Sequence, residues 1–186
     1  MNILNTNMYL KIYDENNIFD KTVKNTNIFK YELDNFQKWA CYKIDQNENI
    51  LVIAPTSSGK TVPAIYAINK SLLDNKRVIY TSPIKALANQ KYNEFCDKFG
   101  KNNTGIFTGD VKFNPTANIL IVTAEILRNL LYNTSTTQDI SLNDVNCVIM
   151  DEVHYLNDIS RGVVWEETLI LLPKDIKCLR NRQVVH

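Results

Sequence analysis

Ile50-Leu-Val-Ile-Ala54-Pro-Thr-Ser-Ser-Gly59-Lys60-Thr61 is the stretch that decides the fold. Its aliphatic residues 50–53 predict a short buried strand, which is followed by a loop and then by a helical pattern. This order is typical of the phosphate-binding P-loop, with Ala54 where the first glycine usually stands. Such a loop turns backbone N–H groups toward an anion, and the following helix adds the positive end of its dipole. The stretch therefore predicts a nucleotide-phosphate site.

The side chains of this loop suggest separate roles. The Lys60 ammonium can reach the outer phosphates of a nucleotide, and the Thr61 hydroxyl can hold Mg²⁺. Ser58, Gly59 and Lys60 are expected to turn their backbone N–H groups inward. A chance strand–turn–helix that contains a lysine is the alternative. The candidate nucleotide-binding residues of the loop are Thr56, Ser57, Ser58, Gly59, Lys60 and Thr61.

Length and composition limit the class of protein. A chain of 186 residues with 45% hydrophobic and 22% charged residues suits one soluble globular domain. Because the formal net charge is only +1, any nucleic-acid binding must use a local patch or backbone donors. The four cysteines form no Cys-x-x-Cys pair, which predicts buried free thiols in a reducing compartment, cytoplasmic or nuclear. The sequence has neither a signal-peptide pattern nor the roughly 18 apolar residues of a membrane span, so we expect no membrane partner.

Helical and strand patterns alternate along the rest of the chain. We expect helices at about 35–45, 62–73, 84–99, 126–132 and 163–172, and strands at 77–81, 104–107, 118–122, 145–150 and 176–179. The strands are apolar on both faces, which predicts an α/β fold with a mostly parallel sheet and helices on both faces. Ligands bind such sheets at the carboxyl ends of the strands, where every chemically suggestive residue stands. Residues 1–28 show no period and predict an N-terminal arm on the domain surface or a partly disordered tail.

Two acidic residues follow the strand at 145–150. Asp151 would hold Mg²⁺ through water, and Glu152 would orient or deprotonate the attacking water. An ordinary acidic turn at a strand end is the alternative. With Lys60 and these two carboxylates, His154 completes the set of catalytic candidates, although a histidine alone is more often structural.

A base-binding element is predicted upstream of the P-loop. Asp34 is a plausible N-cap for the first helix, and Gln37 lies just inside its N-terminus. The Gln37 amide could read both a donor and an acceptor on adenine, while Tyr31 could lie against the base. A solvated glutamine and a packing tyrosine are the alternative.

Six motifs stand in a fixed order along the chain. They are residues 54–61, 80–92, Thr108-Gly-Asp110, 123–128, Asp151-Glu-Val-His154 and 161–167. In this order they resemble the DExH-box RNA helicases of superfamily 2, above all the superkiller-type branch, whose members act in RNA surveillance and turnover. Residues 31–37 resemble the adenine-reading motif of that branch. The resemblance covers about residues 29–179 and implies that residues 29–186 form the first RecA-like P-loop NTPase domain of such a helicase.

The resemblance also implies the ligands. ATP and Mg²⁺ would be the cofactors and single-stranded RNA the main partner, with DNA left open. Backbone N–H groups and helix N-termini bind phosphates without recognising the base sequence. A helicase that moves along any nucleic-acid strand requires such sequence-independent contacts. Lys85 and Arg128 could instead be solvated surface charges, and Trp165 is expected to pack. The residues that the resemblance places on the strand are Pro83, Lys85, Ala86, Thr108, Gly109, Asp110, Thr123, Glu125 and Arg128.

The chain departs from the resemblance near its end. Arg180-Asn181-Arg182 stands where a Ser-Ala-Thr motif is expected, and no second RecA-like domain follows in the sequence. The arginines of that domain are expected to complete the ATP site, and an arginine finger is worth about 10³ to 10⁵ in rate. We therefore expect the chain alone to bind ATP–Mg²⁺ weakly, hydrolyse it poorly and unwind nothing. The second RecA-like domain and the RNA-decay machinery are the expected protein partners.

Other functions remain open on the sequence. A non-catalytic module that binds nucleotide or RNA, or docks on a partner, fits the absence of the second domain. The presence of Lys60, Asp151 and Glu152 argues against it. A DNA helicase domain is also open, whereas a small-molecule P-loop kinase is disfavoured because no lid is recognisable.

Overall fold

A seven-stranded sheet forms the centre of the molecule. The computed structural model describes residues 11–13, 16–24, 26–55, 57–132, 140–153 and 162–183. Neighbouring strands are parallel except for β3 and β4. The order across the sheet is β1-β7-β6-β2-β5-β3-β4. The strands are β1 (Ile50–Ala54), β2 (Arg77–Ser82), β3 (Thr104–Phe107), β4 (Lys112–Phe113), β5 (Ile119–Thr123), β6 (Val145–Met150) and β7 (Lys177–Gln183).

Helices cover both faces of this sheet. One apolar cluster joins α1, α2 and α3 to one face, and a second joins α4 and α5 to the other. Trp165 of α5 is fully buried in the second cluster, which confirms its predicted packing role. The helices are α1 (Asn35–Asp45), α2 (Thr61–Leu73), α3 (Lys85–Phe99), α4 (Ala124–Leu131) and α5 (Gly162–Leu171), with short 3-10 helices at Thr26–Ile28 and Lys101–Asn103.

Most element boundaries agree with the sequence prediction within one or two residues. Helix α3 ends where predicted because Gly100 has φ +87°, a conformation that residues with a Cβ rarely adopt. Strand β7 continues to Gln183, past the predicted end at residue 179, because it pairs with β1 from Leu179 onward. Strand β4 was not predicted, since it has two exposed residues and no readable pattern.

The prediction of a buried first strand is wrong on one face. Val52 and Ala54 are buried, whereas Leu51 and Ile53 are 46% and 54% exposed. Among the described residues β1 is an edge strand. The apolar cluster around α4 and α5 includes residues of β2, β5, β6 and β7, but no described residue of β1. The face that carries Leu51 and Ile53 is therefore left exposed.

The described part of the N-terminal segment lies against α1. The Phe19 ring meets Trp39 edge-on at 5.1 Å, and the Trp39 indole N–H donates to the Asn17 carbonyl at 2.7 Å. Val23 is buried in a small apolar cluster with Cys41 of α1, and Phe19 packs against that cluster. Within the described ranges, none of the helices has the length and apolar character needed to cross a membrane.

Candidate functional site

The P-loop connects the carboxyl end of β1 to the start of α2. Gly59 has φ +81°, and its carbonyl accepts the Val62 N–H at 3.0 Å. The Lys60 ammonium donates to the carbonyls of Ala54 and Pro55, at 2.9 and 2.5 Å. These bonds hold the Lys60 side chain across the loop, where it can exchange carbonyl partners for phosphate oxygens.

The backbone N–H of Ser58 is bonded within the loop in this structure. It donates to the Pro55 carbonyl at 3.4 Å, and its inward turn toward an anion stays a prediction. The Ser58 hydroxyl donates to the same carbonyl at 2.8 Å. The backbone donors at Gly59 and Lys60 and at the start of α2 are therefore the candidates for phosphate binding, since a helix cannot bond its first N–H groups itself. Thr56 lies outside the described residues.

The predicted adenine-reading glutamine packs directly on the P-loop. Asp34 and Gln37 form a capping box at the start of α1, in which the side-chain oxygen Oε1 of Gln37 accepts the backbone N–H of Asp34 at 2.9 Å. The Gln37 amide donates to the Gly59 carbonyl at 3.3 Å, and its residue is only 4% exposed. An amide has two hydrogens and two acceptor lone pairs. The two bonds of the Gln37 side chain use one hydrogen of its amide and one lone pair of its oxygen. Tyr31 is 58% exposed, with its ring 5.8 Å from that of Phe29.

Asp151 is held from both neighbouring strands at the carboxyl end of β6. Its Oδ2 accepts the Tyr80 hydroxyl of β2 at 2.5 Å, and its Oδ1 accepts the Asn181 amide of β7 at 3.4 Å. Its backbone N–H donates to the Thr81 carbonyl at 3.0 Å. Burial raises the pKa of Tyr80 well above its usual value, and the Asp151 carboxylate adds to the effect. Tyr80 therefore stays protonated and donates.

Glu152 follows with an unusual backbone conformation. Its φ of +56° lies in the left-handed region, which is uncommon for a residue with a Cβ. Such conformations cluster at functional sites, where the surrounding structure maintains them. His154 lies outside the described residues, as do all of 154–161.

One cavity brings the two halves of the predicted site together. Its volume of about 390 Å³ falls in the range of small-molecule sites. Lys60 supplies positive charge for phosphates, as does Lys91, whose ammonium is also paired with the Glu94 carboxylate at 2.8 Å. The Thr61 hydroxyl and the carboxylates of Asp151 and Glu152 are the oxygen donors that Mg²⁺ prefers, so the residues present fit a nucleotide–Mg²⁺ complex. The lining residues are Ser57, Gly59, Lys60, Thr61, Ser82, Leu87, Gln90, Lys91, Asp151 and Glu152.

Several of these residues were not assigned from the sequence. Leu87, Gln90 and Lys91 share one face of α3 at helical spacing and line the cavity. They belong to the quoted 80–92 motif, of which only Pro83, Lys85 and Ala86 received a role. Tyr80 was missed as well, although a tyrosine in a buried strand needs a partner for its hydroxyl.

The predicted nucleic-acid residues follow the adjoining strands β2, β5 and β3. Lys85, Ala86, Gly109 and Asp110 are exposed. The Lys85 ammonium pairs with the Asp110 carboxylate, and its Nζ lies 3.5 Å from the position of a Cβ on Gly109. The structure therefore brings two of the predicted motifs into one exposed cluster, Lys85–Gly109–Asp110.

Other members of that prediction are buried or paired. Thr108 and Thr123 are 3% and 4% exposed, and Pro83 is also buried. These three residues can therefore support a nucleic-acid-binding surface from below more readily than they can contact the nucleic acid. Glu125, in the first turn of α4, is half-buried. Arg128 is not simply solvated, because it forms an ion pair with Glu167 of α5 at 3.3 Å.

Comparison with known proteins decides the family. Residues 34–185 match the DEAD/DEAH box helicase family. The chain belongs to this family. The antiviral helicase SKI2 of Saccharomyces cerevisiae is 49% identical to this helicase domain over 160 residues, which are 86% of the present chain and 12% of SKI2. The exosome RNA helicase MTR4 of Homo sapiens is 51% identical over 148 residues, 80% of this chain and 14% of MTR4. The predicted resemblance to superkiller-type DExH-box helicases is thus confirmed, for a chain that spans a small part of these relatives.

Solved structures show the same fold. The helicase Lhr of Mycobacterium smegmatis, bound to ssDNA and AMP-PNP, superposes with a TM-score of 0.61 at 31% identity, over 80% of this helicase domain and 22% of Lhr. The DUF1998 helicase MrfA gives a TM-score of 0.66 at 20% identity, over 86% of this chain and 28% of MrfA. The predicted RecA-like α/β fold with a mostly parallel sheet is confirmed.

Proposed function

We propose that this helicase domain binds ATP–Mg²⁺ and single-stranded RNA as the first RecA-like domain of an RNA helicase. The observation that carries the proposal is a shared cavity that joins Lys60 and Thr61 of the P-loop to Asp151 and Glu152 after β6. Family membership supports the same ligands, since the human relative is named an RNA helicase.

Four of the residues that line the cavity then have defined tasks. Lys60 exchanges the carbonyls of Ala54 and Pro55 for the outer phosphates of the nucleotide. Thr61 and Asp151 hold Mg²⁺, which neutralises phosphate charge when it is bound. Glu152 orients or deprotonates the attacking water, with His154 as a further catalytic candidate. Gln37 and Tyr31 are the candidates for adenine recognition.

We expect slow hydrolysis by the 186-residue chain. The described residues that line the cavity include two lysines and no arginine. An arginine that stabilises transition-state charge is worth about 10³ to 10⁵ in rate. Binding without efficient turnover is therefore the expected behaviour.

RNA is the nucleic acid that this proposal assigns to the chain. Its exposed candidate contacts are Lys85, Ala86, Gly109 and Asp110. Relatives about half identical to the chain are named RNA helicases, whereas the 31% identical Lhr structure contains ssDNA. We also propose an exosome-type RNA-decay assembly as partner, which the name of MTR4 supports.

Nucleotide binding by wild type and Lys60→Ala tests the ATP site. Loss of a charge-assisted bond to phosphate costs about 1.5–3 kcal/mol, so we expect at least about tenfold weaker binding. Lys70→Ala is the matched control, because Lys70 also donates to a backbone carbonyl, that of Ile44, away from the cavity. Equal binding by wild type and Lys60→Ala, or none by wild type, would contradict the proposal.

The RNA assignment needs its own measurement. Binding of a single-stranded RNA and of the DNA of the same sequence is compared at several salt concentrations, with and without nucleotide. Tighter binding of RNA supports the proposal, and tighter binding of DNA makes the chain a DNA helicase domain instead. RNA-stimulated hydrolysis at ordinary helicase turnover would overturn the expectation of slow hydrolysis.

A further inference from the structure

A buried tyrosine hydroxyl touches the carboxylate that is the best candidate for holding Mg²⁺. Tyr80 is 0% exposed, and its hydroxyl donates to Asp151 Oδ2 at 2.5 Å. Strands β2 and β6 pair with Tyr80 opposite Ile149, so the tyrosine side chain extends along the strand direction to reach Asp151. None of the tasks assigned above to the cavity residues uses this bond.

The ring of Tyr80 is fixed from the other side. It meets the Phe95 ring of α3 edge-on, with centroids 5.1 Å apart and an interplanar angle of 88°. Because both rings are fully buried, the hydroxyl has little freedom to leave Asp151. Asn181 approaches the other carboxylate oxygen from β7. The Asp151 carboxylate is therefore restrained through both of its oxygens.

We propose that Tyr80 is a positioning residue that holds the Asp151 carboxylate in the orientation required for Mg²⁺. This inference rests on the proposed ATP–Mg²⁺ function. A carboxylate oxygen has more than one acceptor site, so Oδ2 can accept the tyrosine hydroxyl and still face Mg²⁺ or its water. Outer partners of this kind orient metal ligands, and their loss typically costs 10- to 100-fold in metal affinity or activity.

A purely structural role would have a different signature. A buried tyrosine hydroxyl needs some partner, and Asp151 could serve only to satisfy it. In that case Tyr80→Phe changes the stability of the fold and leaves Mg²⁺ binding alone. A positioning role changes the effect of Mg²⁺ on nucleotide binding, because that effect depends on the orientation of Asp151.

The test measures binding of a fluorescent, non-hydrolysable ATP analogue in Mg²⁺ and in EDTA. The ratio of the two affinities is the Mg²⁺ enhancement. For Tyr80→Phe we expect this ratio to fall about tenfold, the lower end of the range, because water between Asp151 and Mg²⁺ weakens the dependence. The affinity in EDTA should stay unchanged. In an Asp151→Asn background, Tyr80→Phe should have no further effect on the ratio.

Tyr66→Phe is the matched control. Tyr66 is also 0% exposed and its hydroxyl also donates to a carboxylate, that of Asp45 at 2.9 Å, but it does not line the cavity. Its Mg²⁺ enhancement should equal that of wild type. Asn181→Leu tests the other carboxylate oxygen, with an expected loss of about threefold because this hydrogen bond is long, at 3.4 Å.

The outcomes separate this inference from the proposed function. If wild type shows no Mg²⁺ enhancement, both are overturned. If wild type shows the Mg²⁺ enhancement and Tyr80→Phe shows the same enhancement, only the positioning role is overturned. If Tyr80→Phe does not unfold cooperatively, its ratio cannot be measured. If Asn181→Leu then retains the full Mg²⁺ enhancement, the two hydrogen bonds to Asp151 serve folding alone, and the positioning role is overturned as well.

Discussion

Replacement of Gly59 by alanine tests the contact between the P-loop and α1. Gly59 has φ +81°, and a Cβ there would lie 2.4 Å from Gln37 Nε2. The backbone strain costs about 1–3 kcal/mol. Moving the Gln37 amide away breaks its bond to the Gly59 carbonyl, which adds about 0.5–1.5 kcal/mol. We therefore expect Gly59→Ala to lower the free energy of unfolding by about 2–4 kcal/mol.

Gly100→Ala is the matched control for the strain. Gly100 has φ +87°, but nothing lies within 4 Å of the position of its Cβ. The control should therefore show the strain alone, about 1–3 kcal/mol. Alanine also reduces the freedom of the unfolded chain, by a similar amount at both positions. The excess cost of Gly59→Ala over Gly100→Ala then estimates the clash with Gln37.

The free energies come from urea unfolding followed by tryptophan fluorescence, to which Trp39 and the buried Trp165 both contribute. Gln37→Ala removes the amide that Gly59→Ala displaces. The double variant should therefore cost about 1 kcal/mol less than the sum of the two single variants. Equal destabilisation by Gly59→Ala and Gly100→Ala, together with additivity of the Gln37 pair within about 0.5 kcal/mol, would refute the packing argument.

Two further predictions concern charge. Burial raises the pKa of Cys41 and of Cys147 to about 12, so above about pH 9 the unfolded chain releases protons that the folded chain keeps. Urea titrations at stepped pH should show the free energy of unfolding falling between about pH 9 and 12 by about 1.4 kcal/mol per thiol per pH unit, and Cys147→Ala should make the slope shallower. Lys85→Ala should weaken single-stranded RNA binding and lower the slope of log K against log salt by about 0.7. Lys76→Ala, immediately before β2, is the control that should leave both unchanged.

The fold could be predicted because its determinants are local. Apolar runs such as 145–150 fix the strands, and Gly100 fixes the end of α3. Exposure of one face of β1 could not be predicted, because a run of aliphatic residues predicts a strand without indicating whether that strand lies at the edge or in the centre of the sheet. Strand β4 exists only through its pairing with β3, so its two residues carry no signal of their own.

The candidate site divides in the same way. Gly59-Lys60-Thr61 and Asp151-Glu152 could be recognised because each group is contiguous in sequence and follows a strand. Tyr80 reaches Asp151 across 71 positions of the chain, and Asn181 reaches it across 30. Such contacts depend on which strands are neighbours. The order β7-β6-β2 places one partner on each side of Asp151, and no local pattern specifies that order.

Strand β2 lies between the two proposed ligand sites. On one side its neighbour β6 leads to Asp151, and on the other its neighbour β5 leads to α4. Ser82, its last residue, lines the cavity, and Lys85 of the exposed cluster follows three positions later. From Val78 to Ser82 the strand is buried, and close-packed interiors transmit displacement more than they absorb it. A strand that shifted Lys85 would also shift Tyr80, and with it the carboxylate that Tyr80 contacts. If both proposed sites hold, strand β2 and its hydrogen bond to Asp151 form a direct structural connection between them.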